Sequence, residues 1–104
     1  MTRTPEQAVL VHLRGTGLPE KVYRENDLAT LEDRLSEAIQ QAGVGEFDGN
    51  EVGVGGATLF MYGPSAEKLF AAIEPVLRAS PLCSGARVVI RSGGPGAHER
   101  LVDL

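Results

Sequence analysis

The segment from Gly45 to Gly63 constrains the fold more than any other part of the chain. Its glycines punctuate two runs, Glu46 to Val52 and Ala57 to Tyr62, that read as the arms of a β-hairpin. The turn is expected among Gly53-Val54-Gly55-Gly56, with Asp48-Gly49 a competing turn signal that would slip the pairing. A helical pattern lies on either side, and a β-branched run lies near each end of the chain. The order is therefore strand–helix–strand–strand–helix–strand, the α+β, ferredoxin-like βαββαβ signature. Right-handed crossovers then predict an antiparallel sheet in the order 4-1-3-2 with both helices on one face.

Ala8 to Arg14 is the first strand, rich in valine and leucine and ended by Gly15. Residues 15–26 read as a long polar loop. The first helix is expected from about Asp27, with Asn26 or Asp27 as its cap. Leu28, Leu31, Leu35, Ile39 and Ala42 recur at helical spacing, and Gly43 closes the helix. The second helix is expected from Gly63-Pro64, with a buried stripe of Leu69, Phe70, Ile73, Val76 and Leu77. Pro75 lies inside it, so a kink or a break into two short pieces is expected there. Ser80-Pro81 ends the helix, Arg87 to Arg91 forms the fourth strand, and Glu99 to Leu104 is a candidate short fifth strand.

At 104 residues the chain reads as a single domain, residues 1–104, large enough for one core. Hydrophobic residues make up 42% and charged residues 23%, so a folded globule rather than a disordered chain is expected. Ten basic against fourteen acidic side chains give a net charge of −4, which disfavours nucleic acid and anionic membrane as partners. The polar start Met1 to Gln7, the absence of a long apolar run and a single cysteine, Cys83, lead us to expect a cytoplasmic protein.

An antiparallel sheet covered by helices on one side leaves its other face open. Alternation points Val9, Val11, Leu13, Leu59, Met61, Val88 and Ile90 at the helices. The opposite parity places Leu10, His12, Arg14, Thr58, Phe60, Tyr62, Arg87, Val89 and Arg91 on the open face. Glu46, Asp48 and Asn50 are expected to continue that face onto the edge strand. The result would be an apolar, aromatic centre with one acidic and one basic edge. Such a patch meets a partner or is covered by residues 92–104.

Motifs that would fix a chemistry are missing. Phe60 and Tyr62 invite comparison with RNA-recognition modules, but Ala57 to Tyr62 lacks their leading basic-glycine pair, and the first strand offers Leu10 in place of an aromatic. Asp48-Gly49-Asn50-Glu51-Val52-Gly53 opens like a calcium loop but puts Val52 and Leu59 where oxygen ligands are required. The edge charges Glu46, Asp48 and Glu51 fit solvated residues that discourage aggregation better than a general acid–base set. His12 and His98 have no Cys or Asp at metal-ligand or nucleophile-relay spacing. Arg14 to Gly17 and Arg91 to Gly96 lack the context of a phosphate loop. No cofactor or metal is implied.

The leading expectation is a non-enzymatic binding or regulatory module that works by protein–protein contact through the open face. A homodimer centred on Phe60 and Tyr62 is the expected assembly, its acidic edge (Glu46, Asp48) meeting the basic edge (Arg87, Arg91) of a second copy. The alternative is a small-ligand sensor using the loop 15–26, with Arg14, Lys21, Tyr23 and Arg24 as contacts. Its βαββαβ order is similar to that of regulatory ligand-binding domains of the ACT type, a likeness of topology alone. An enzyme using Glu46, Asp48 or His12 ranks last.

Overall fold

The structure, a computed structural model, describes residues 7–94 and 96–104. Among the described residues, five strands and three helices follow the order β1 (Gln7–Arg14), α1 (Glu20–Glu25), α2 (Leu28–Ala42), β2 (Glu46–Gly53), β3 (Gly56–Gly63), α3 (Ala66–Ala79), β4 (Arg87–Arg91) and β5 (Glu99–Asp103), with a 3-10 turn at Pro81–Cys83 before β4. This is an α+β fold on a five-stranded antiparallel sheet. The expected order 4-1-3-2 is replaced by β2-β3-β1-β4-β5, because the C-terminal segment adds a fifth strand outside β4. Residues 99–103 thus widen the sheet instead of folding over its face.

Both amphipathic helices bury most of the stripe that their spacing predicts, although Val76 is only half-buried. Leu31, Leu35 and Ile39 of α2 and Leu69, Phe70, Ile73 and Leu77 of α3 are buried, and they form one cluster with Val9, Val11, Leu59, Met61, Val88 and Ile90 from the sheet. Leu28 only packs against its margin, and Ala42 is exposed. Gly43 ends α2 in the left-handed conformation at φ +65°. In α3 the start lies two residues beyond Pro64, where the Ser65 hydroxyl accepts the Lys68 N–H and the Gln7 side chain takes that of Ala66. Pro75 does not break α3, which runs unbroken to Ala79. The carbonyl it deprives of a donor is that of Ala71, and both residues are exposed, so water can satisfy that oxygen.

The polar loop after β1 is shorter than expected, because residues 20–25 wind into α1. Six residues are too few for an apolar period to show in sequence, and α1 buries none of them. Two surface pairs at helical spacing accompany it, Arg24–Glu20 at 3.6 Å and Lys21–Glu25 at 3.9 Å. Val22 and Tyr23 rest against the core.

The hairpin turns at Val54-Gly55, between the paired residues Gly53 and Gly56. Asp48-Gly49 is a β-bulge instead: Phe47 opposes Met61 and Gly49 opposes Phe60, leaving Asp48 as the extra residue. The bulge reverses the alternation downstream. Asn50 therefore opposes core-facing Leu59 and donates to Glu32 of α2 at 2.6 Å, so it does not extend the open face. Glu51, opposite Thr58, takes its place there.

Candidate functional site

Residues directly opposite in a ladder share a face, so the register defines the uncovered side of the sheet. Its middle row runs Gly49, Phe60, Leu10, Val89, Leu101 across all five strands. One flanking row is Glu46, Tyr62, Ala8, Arg91, Glu99, and the other is Glu51, Thr58, His12, Arg87, Asp103. Phe60, Tyr62 and Leu10 are half-buried by their neighbours, Val89 is buried, and Leu101 is exposed. At strand spacing the four apolar side chains span roughly 15 Å.

The expected basic edge is not formed among the described residues. Arg87 and Arg91 sit on β4, one strand inside the margin, because β5 lies beyond them. Arg87 is held by Asp103 at 3.0 Å, and Arg91 donates to the carbonyl of Gly93 at 2.9 Å. Both margins of the face are acidic: Glu46 and Glu51 on one, Glu99 and Asp103 on the other. Glu46, Glu51 and Glu99 pair with no cation among the described residues. Beside the apolar row, His12 Nδ1 and Thr58 Oγ1 share a hydrogen bond of 3.0 Å. With Leu10, Phe60 and Glu51 they line a shallow groove of about 510 Å³.

Arg14, expected on this face, lines a different depression. A cleft of about 600 Å³ opens at the far end of the sheet, bounded by the end of β1, α1, the start of α2 and the hairpin tip. Arg14, Tyr23 and Arg24 line it, whereas Lys21 is absent from its wall. The Tyr23 hydroxyl donates to the Arg14 carbonyl and receives the Leu18 N–H, each at 3.3 Å, so α1 is tied to the end of β1.

Sequence reasoning missed Glu99, Leu101 and Asp103 on the open face, although the alternation in Glu99 to Asp103 carries that signal. It also missed Leu28, Val52, Val54 and Leu82 in the cleft wall, which α2, the β2–β3 hairpin and the Pro81–Cys83 turn bring together. No group of three or more His, Cys, Asp or Glu able to hold a metal ion occurs among the described residues. No described helix is long and apolar enough to cross a membrane. Cys83 is buried, and burial pushes its thiol up to about 11 against a lowering hydrogen bond with Ser80. No protein-family model, curated protein or solved structure matches the chain.

Proposed function

We propose that the protein is a non-enzymatic binding module whose open sheet face docks another protein. The observation that carries this reading is the apolar row Phe60–Leu10–Val89–Leu101 on the side of the sheet away from the helices. Leu101 remains exposed and carries that row out to the sheet margin, so the apolar surface is contiguous rather than scattered. Acid margins on both sides of that row favour a partner with an apolar ridge flanked by lysine or arginine. They disfavour a second copy, since the basic edge that would have met Glu46 and Asp48 lies inside the sheet and is already engaged.

A photo-cross-linking residue in place of Thr58, within the face, tests this in the cells that make the protein. Cross-links to one other protein, abolished by Phe60→Glu with the melting temperature preserved, would support the reading. Cross-links between two copies would replace the heterologous partner by a homodimer. A face that gives no protein cross-links would sink the proposal.

A further inference from the structure

The cleft at the hairpin end carries features that the docking face does not explain. Its apolar lining includes Leu28, Ala57 and Leu82, and its rim includes two valines that the fold leaves in solvent. Val54 is fully exposed at the hairpin tip and Val52 is 68% exposed. Turn positions ordinarily carry Gly, Asn, Asp, Ser or Pro, so a bare valine is uncommon there.

The charges of the lining divide unequally. Arg24 is engaged by Glu20 at 3.6 Å, and Glu25 by Lys21 at 3.9 Å. Asp27 accepts the Thr30 hydroxyl at 3.1 Å. Arg14 alone among these has no carboxylate partner within the described residues. Its guanidinium lies against Gly85 and near Gly17, where an added Cβ would come within 3.3 Å and 3.9 Å of Nη1. Its backbone is anchored by the Tyr23 hydroxyl. Arg14 lines the cleft together with that apolar wall, and such a pairing suits an anion with an apolar body.

From this juxtaposition we infer that the cleft is a binding site for a small monocarboxylate with a compact hydrophobic body. The carboxylate pairs with the Arg14 guanidinium, and the body lies on Leu28, Ala57, Val52 and Val54. A single charge is favoured because Asp27, which pairs with no cation among the described residues, shares the lining and repels a phosphate dianion more strongly than a monoanion.

Titration of the whole protein by two-dimensional amide NMR tests the assignment, with hexanoate and phenylacetate as probes. Hexanamide and hexyl phosphate serve as the neutral and dianionic comparisons. At least one carboxylate is expected to give saturable shifts at Leu28, Val52, Val54 and Ala57, with at least ten-fold higher affinity than hexanamide. Arg14→Gln should weaken that binding at least ten-fold. Val54→Asp, at a fully exposed position, should weaken it without lowering the melting temperature. Phe60→Glu on the docking face should leave it unchanged, which separates this site from that one. Saturation by neither carboxylate, equal affinity for hexanamide, tighter binding of hexyl phosphate, or an unaffected Arg14→Gln variant would each overturn the assignment.

Discussion

Arg100 on β5 grips Glu67 on α3 through two hydrogen bonds, Nε to Oε2 at 3.0 Å and Nη2 to Oε1 at 2.6 Å. The guanidinium carbon also stands 5.9 Å from the centroid of the Phe70 ring. An edge strand is thereby tied to a helix at its side, a contact that neither local sequence announces.

The hydrogen bond from Arg100 holds the Glu67 carboxyl below its usual range, outweighing desolvation, and the Arg100 charge adds to it. A carboxyl that is more acidic in the folded state stabilises the fold at neutral pH and loses that contribution as pH falls through its folded value. Glu67→Gln should therefore melt slightly below the parent at pH 7, and the two should converge in acid. The effect is small, because both side chains are half exposed. Melting curves across the acid range check this, and a gap that widens on acidification would contradict it.

Phe70 joins the α3 stripe to this contact and is 6% exposed. Its truncation to alanine removes the whole ring from a packed interior and should cost about 3–5 kcal/mol. Phe70→Leu should recover much of that loss. Urea denaturation of the pair measures both, and an unshifted midpoint for Phe70→Ala would mean that α3 does not pack as described.

Gly56 takes φ +133°, and a Cβ there would fall 2.1 Å from the Leu13 carbonyl oxygen and 2.7 Å from the Gly15 nitrogen. These are backbone atoms that cannot step aside, so Gly56→Ala should cost about 3 kcal/mol or more. The neighbouring Gly55 has open space around its Cβ position and no positive φ. Gly55→Ala should stay within about 0.5 kcal/mol of the parent. The contrast between adjacent glycines is the readout, in thermal or denaturant unfolding.

Cys83 should resist thiol reagents in the native protein. Burial raises its pKa to about 11, so at pH 8 the thiolate is scarce as well as enclosed. Labelling by a chromogenic disulfide is expected to be slow in buffer and rapid in concentrated urea. Rapid native labelling would show that the segment around the Pro81–Cys83 turn opens easily.

Sequence alone determined the parts of this protein that depend on local periodicity. The spacing of Leu31, Leu35 and Ile39, and of Leu69, Phe70, Ile73 and Leu77, specified two helices and their buried faces. Alternation in Val9 to Leu13, Leu59 to Met61 and Val88 to Ile90 specified which side of the sheet they cover. Phe60, Leu10 and Val89 were readable as one open row by the same parity.

Tertiary structure decided what depends on non-local contact. Asp48-Gly49 carries a turn signal, and only pairing with Met61 and Phe60 makes it a bulge, which sends Asn50 to α2 and Glu51 to the open face. The short α1 has no apolar period, and its position rests on Tyr23 meeting the end of β1. The hydrogen bonds of β4 with residues 99–103 moved Arg87 and Arg91 inward and turned the expected basic edge acidic. The cleft gathers Arg14, Leu28, Val54 and Leu82 from four places in the chain, and no window of sequence contains them together.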